Sequence, residues 1–247
     1  MCGRFRGVPR ERAAVLSLVL GGLALVALVA AVRGGGAEAD VPAAFAVSRC
    51  ESPSAGCAWV FVLFVDLSAF ETGQVLYEVT RAMATDFAGQ ASLALFHAPA
   101  ADCEETPEVW ACVAARTVAC AGELAPAQVT ALAGAALDLR WEAEDARNYV
   151  RLRARAAALG VDVAGLDACV AARETALRVK RQRELAMALG LGEQRVGGWL
   201  IDRGGAAAQA PFGAQVTADL LRRMGSCMRA ERCAEVGVAA ADPGGVR

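Results

Sequence analysis

The chain has 247 residues, a formal net charge of -2 and 56% hydrophobic residues, which suits one well-buried domain with appendages and excludes a mostly disordered protein. Its basic residues are almost all arginine, with Lys180 the single lysine, and no excess of positive charge argues for a nucleic-acid partner. His97 is the single histidine, so a histidine-rich metal site is excluded and no metal or cofactor is expected.

Residues 1–12 carry Arg4, Arg6, Arg10 and Arg12 and precede a run without charge, AAVLSLVLGGLALVALVAAV, at 13–32. Twenty helical residues at about 1.5 Å each span roughly 30 Å, the thickness of a bilayer core. The arginines are expected to stay cytoplasmic, which makes 13–32 a transmembrane anchor or uncleaved signal and places the rest on the extracytoplasmic, periplasmic side. Ala37, Glu38 and Ala39 offer the alternative, secretion after cleavage near Ala39. Residues 33–44, RGGGAEADVPAA, read as a small-residue linker.

Eight of the nine cysteines follow this segment: Cys50, Cys57, Cys103, Cys112, Cys120, Cys169, Cys227 and Cys233. An even number in an exported segment suggests disulfides, whose connectivity the sequence does not fix. Short separations favour Cys50 with Cys57 and Cys227 with Cys233. No C-x-x-C occurs anywhere in the chain, which removes the usual cue for a redox pair or a structural zinc site.

Folding is expected to begin near Phe45. AWVFVLFVD, at 58–66, is apolar at both parities and reads as a central strand covered on both faces. Val75, Leu76, Val79, Met83 and Phe87 recur at helical spacing and predict a helix over about 69–88, and ASLALFHA at 91–98 predicts a second strand. Strand, helix and strand at this length form a βαβ unit. Thr106 and Pro107 predict an N-cap and a first-turn proline for a helix through EVWACVAARTVACA. Pro126 opens further helix, which continues to about residue 190 with breaks at Gly160 and at 162–167. Strand signal returns at 197–202, GGWLID, and at 206–210, followed by an amphipathic helix over about 214–224. Residues 226–247 read as a cysteine-containing tail.

In this order and spacing the chain resembles the DsbA-like proteins, whose thioredoxin-like core (βαβ…ββα) carries an inserted helical block. The resemblance covers about 45–225 and rests on SPSAGCAWVFVLFVDLSAF, LFHAP, EETPEVWACVAARTVACA, GLDACVAARETALRVKRQRELAMALGL and GGWLID. It implies an α/β domain with the insertion at about 105–168. The family's C-x-x-C falls on Ser68, Ala69, Phe70, Glu71 and Thr72, and its cis-proline loop falls on Arg195, Val196, Gly197 and Gly198, where there is no proline. The resemblance also implies that Cys120 and Cys169 lie in segments that pack together, leaving Cys103 with Cys112.

A thioredoxin-type nucleophile is a cysteine whose thiolate is stabilised by a helix N-terminus, and a serine hydroxyl cannot perform that exchange. Ser68 and Glu71 have the spacing of a capping box, which keeps the helix start without the reaction. Ser68 as a hydrolytic nucleophile would need His97 as its base. The expected function is therefore a membrane-anchored, redox-inactive domain that binds an extracytoplasmic peptide or protein, with 68–72 and 195–198 as its surface. The alternative is a thiol-disulfide oxidoreductase or redox sensor with a nonstandard pair, Cys50 and Cys57 or Cys103 and Cys112. The basic run 173–184 reads as a solvated helix face held by i,i+4 pairs, and Trp59, Trp110, Trp141 and Trp199 read as packing residues.

Overall fold

A computed structural model describes residues 45–46, 58–140, 145–189, 191, 196–202, 207–210 and 218–230. The apolar segment 13–32, the linker, Cys50, Cys57, Trp141, Arg195 and Cys233 lie outside the described residues. Among the described residues no helix is long and apolar enough to cross a membrane.

The strands are β1 (Phe45–Ala46), β2 (Trp59–Val65), β3 (Ala91–His97), β4 (Val196–Asp202) and β5 (Ala207–Ala210). The helices are α1 (Phe70–Ala84), α2 (Trp110–Leu124), α3 (Val129–Leu139), α4 (Asp145–Ala158), α5 (Val163–Ala171), α6 (Arg173–Ala188) and α7 (Ala218–Ala230). A single five-stranded sheet has the order β1-β3-β2-β4-β5. β2 and β3 are parallel, joined by the α1 crossover, and the other three pairings are antiparallel.

The double-parity apolar pattern of β2 explains its central place. Phe61, Leu63 and Val65 face one layer together with Leu93 and Leu95, which α1 covers through Val75, Leu76 and Val79 and α7 through Leu221 and Met224. Val62 and Phe64 face the other layer with Ala94, Phe96 and Ile201, closed by Ala186 and Leu191. Burying such a side chain contributes about 1.5–3 kcal/mol each. Phe64 stacks on Phe96 at 4.7 Å, and Phe87 meets Phe61 edge-on at 5.1 Å.

The helical block departs from expectation at three places. Thr106 caps nothing: its hydroxyl donates to the Asp102 carbonyl at 2.8 Å, and α2 starts only at Trp110, with Val109 as N-cap. The expected break at Gly160 is present, with φ +80° and amide bonds from Gly160 to Ala157 and from Val161 to Ala156 that close the end of α4. The segment 162–167 is no break but the start of α5, because the Asp162 carboxylate accepts from the amides of Ala164 at 3.1 Å and Gly165 at 3.2 Å. The helix expected to continue from there to about residue 190 is interrupted between α5 and α6, where Ala172 takes an extended conformation at φ -69° and ψ 135°.

Candidate functional site

The turn between β2 and α1 is organised by Asp66, which is buried. One carboxylate oxygen accepts from the Ser68 amide at 2.8 Å and the Ser68 hydroxyl at 2.6 Å. The other accepts from the amide of Ala100 at 3.0 Å, and the Thr72 hydroxyl donates to the Asp66 carbonyl at 2.6 Å. The capping box expected between Ser68 and Glu71 is therefore corrected: α1 has Ala69 at its N-cap and no side-chain cap, because Asp66 takes the Ser68 hydroxyl. An aspartate two residues before a serine is the sequence signal for such a turn, and it was missed.

Ser68 is half-buried, Ala69 and Thr72 are buried, and Phe70 and Glu71 are exposed. The Arg140 guanidinium lies 5.4 Å over the Phe70 ring. Val196, Gly197 and Gly198 pair with Val65, Phe64 and Leu63, so β4 begins at the end of the sheet where the turn sits. Gly197 and Gly198 are buried, and a Cβ on Gly197 would come within 2.5 Å of the Leu191 side chain.

His97 is buried opposite Val65, and its amide donates to the Gln182 side chain at 2.8 Å. Burial, with the nearby Arg178 charge, holds the imidazole neutral by lowering its pKa to about 3.

Two disulfides are formed among the described residues: Cys103–Cys112 and Cys120–Cys169. The first joins the loop after β3 to the first turn of α2. Both of its sulfurs lie 3.9 Å from the Ala101 carbonyl, one residue beyond the amide that Asp66 holds. Both cysteines are buried, at 2% and 0% exposure, against Ala115, Ala119 and Val179. An ionic clamp holds this loop on α6: Lys180 pairs with Glu104 at 2.7 Å, Arg173 with Glu104 at 3.6 Å and Arg183 with Asp102 at 4.0 Å. The bond from Lys180 keeps the Glu104 carboxyl below its ordinary range and raises the Lys180 ammonium above its own. The basic run 173–184 is thus engaged beyond its own helix, by the loop after β3, in addition to the expected i,i+4 attraction of Lys180 and Glu184 within α6.

The second disulfide ties α2 to the last turn of α5. Cys120 is fully buried, whereas Cys169 is half-buried. The buried Thr175 hydroxyl, in the first turn of α6, lies 3.6 Å from the Cys169 sulfur and 3.8 Å from that of Cys120, and donates to the Cys169 carbonyl at 2.7 Å. Glu123, paired with Arg178, places an oxygen 4.0 Å from the Cys169 sulfur. Neither Thr175 nor Glu123 stood out in the sequence.

A surface cavity of about 340 Å³ at the C-terminal end of α1 is lined by Arg81, Thr85, Asp86, Asp219 and Arg222. Its charges are shared in pairs, Arg222 with both Asp86 and Asp219.

The sheet order, the parallel β2–α1–β3 unit and the helical block between β3 and β4 define a thioredoxin-like fold with a helical insertion. Comparison with solved structures makes this specific: the chain has the DsbA-like thioredoxin fold. The thiol-disulfide exchange protein alpha-DsbA2 of Wolbachia pipientis superposes with a TM-score of 0.58 at 14% identity, covering 90% of this chain and 100% of that one. A thioredoxin-like oxidoreductase of Silicibacter pomeroyi gives 0.51 at 18% identity, over 70% and 88% of the two chains. The thiol-disulfide oxidoreductase MdbA of Actinomyces oris gives 0.50 at 19% identity, over 72% and 84%. No protein-family model matches the chain, and no curated protein does.

These findings overturn the expectation of a redox-inactive binding module. The structural neighbours are described as thiol-disulfide proteins, and the chain itself carries cysteine pairs at bonding distance. The alternative, a nonstandard pair, fits them better.

Proposed function

We propose that this chain is an extracytoplasmic thiol-disulfide exchange protein that works through a cysteine pair remote from the turn at 68–72. The observation that carries this reading is the presence of formed disulfides inside a DsbA-like fold whose β2–α1 turn presents Ser68, with no thiol to attack or leave. The substrate class is a polypeptide dithiol or disulfide. Disulfide usage supports an oxidising compartment, and the arginine-flanked apolar run 13–32 supports anchoring at the membrane that bounds it.

The test is thiol trapping of the full-length chain across a glutathione redox series, with peptide mass mapping of each cysteine. At least one pair is expected to cycle at a potential well above about -300 mV, the range below which structural disulfides lie. Pairs that all stay oxidised throughout the series would refute an exchange function.

A further inference from the structure

Exchange at a disulfide is an in-line displacement: the incoming thiolate attacks one sulfur along the axis of the bond, and the other sulfur leaves. The attacked sulfur must be reachable from solvent, while the leaving sulfur can be inside. The two described disulfides differ in this respect. Cys103 and Cys112 are both buried, beneath a loop that Lys180, Arg173 and Arg183 clamp to α6. In Cys120–Cys169 one end is fully buried and the other is half-buried on the last turn of α5. Among the described disulfide cysteines, Cys169 alone is not buried.

We infer that exchange runs through Cys120–Cys169, with Cys169 the sulfur that is attacked and Cys120 the sulfur that leaves. The inference rests on the exchange function proposed above and names its site.

The surroundings of this pair suit a sulfur that gains negative charge. Thr175, within 4 Å of both sulfurs, places the first turn of α6 and the positive end of that helix beside the pair, its own hydroxyl proton being held by the Cys169 carbonyl. Arg178 lies one turn further along α6 and is paired with Glu123, so the carboxylate beside Cys169 is offset by a guanidinium. The Cys103 and Cys112 sulfurs, by contrast, each lie 3.9 Å from the Ala101 carbonyl, which would repel a thiolate.

The reaction balances with a polypeptide dithiol as the reductant. Its first thiolate forms a bond to the Cys169 sulfur, the Cys120–Cys169 bond breaks, and Cys120 departs as a thiolate that takes up a proton. The second thiolate of the substrate then attacks its own sulfur in the mixed disulfide, forming the substrate disulfide and releasing Cys169. Two electrons and two protons pass from substrate to protein.

The experiment uses the full-length chain and a synthetic peptide carrying two cysteines. The oxidised parent is incubated with the reduced peptide, quenched with an alkylating agent and mapped by mass spectrometry. Label is expected at Cys120 and Cys169 at least tenfold faster than at Cys103 and Cys112. In parallel, Cys120→Ser exposed to the oxidised peptide is expected to accumulate a mixed disulfide at Cys169, and Cys169→Ser is expected to form one at Cys120 at least tenfold more slowly. Mapping the parent needs no variant to fold. Rapid label at another pair, with Cys120 and Cys169 still bonded, overturns this site while leaving the exchange function standing. No label at any pair overturns both.

Discussion

Asp66 ties the β2–α1 turn to the loop after β3, and replacing it separates the roles of its two oxygens. Asp66→Asn can keep the oxygen that accepts from the Ser68 amide and hydroxyl at 2.8 and 2.6 Å, but it then turns an NH2 group toward the Ala100 amide. One hydrogen bond to a carboxylate is lost and two donors face each other at a half-buried contact, which costs about 1–2 kcal/mol. Asp66→Ala loses all three bonds and leaves two part-buried backbone amides without their acceptor, for a loss of about 2–4 kcal/mol. Ser68→Ala removes only the hydroxyl bond and costs about 1 kcal/mol. Urea unfolding of the oxidised full-length chain, followed by far-ultraviolet circular dichroism, ranks the three variants through their midpoints at constant slope. An Asp66→Asn variant within about 0.5 kcal/mol of the parent would refute the claim that the carboxylate holds Ala100, since surface changes commonly fall in that range.

Burial lowers the His97 pKa to about 3, below the value of about 6.5 in an unfolded chain, so the unfolded state binds more protons between those values. Stability from this group is present above about pH 6.5 and is lost as pH falls toward 3, with a maximum on the order of 4 kcal/mol; the single imidazole should show no NMR titration from pH 8 to 5, and a midpoint near 6.5 would contradict its burial. Gly197→Val places a side chain into Leu191 and should destabilise the fold by about 1–3 kcal/mol, with partial recovery in Gly197→Val combined with Leu191→Ala, both read by thermal unfolding. Removing Cys103–Cys112 as a double serine variant opens a loop of 9 residues and should lower stability by about 2–3 kcal/mol, read as the shift of the urea midpoint.

The core was legible in the sequence because its signals are local. The unbroken apolar run of β2 dictated a central strand, and the spacing of Val75, Leu76 and Val79 dictated the buried face of α1. Both described disulfides were legible through the resemblance, since the insertion brings α2 against α5. Local signals failed where a distant group competed. Ser68 and Glu71 matched a capping box, yet Asp66 held the hydroxyl while also reaching Ala100, which lies 34 positions away. The division of α5 from α6 at Ala172 has no glycine or proline to announce it; there the Thr175 hydroxyl takes the Cys169 carbonyl, and Cys169 is bonded to α2. The function was misread for a related reason. The absence of cysteines at 68–72 favours a redox-inactive module over a nonstandard pair when the sequence stands alone, because the difference in burial between the two ends of a disulfide is a property of the folded chain.

The clamp of Lys180 on Glu104 uses the only lysine of the chain. An amine-directed reagent therefore has one side chain to find, and that side chain is engaged whenever the loop bearing Cys103 is seated on α6. The extent of acylation at Lys180 reports loop seating directly, independently of any sulfur chemistry. The molecule thus carries a footprint at one side chain that can be followed as the mass shift of the peptide bearing Lys180, and its rise with ionic strength would track the release of an electrostatically held loop.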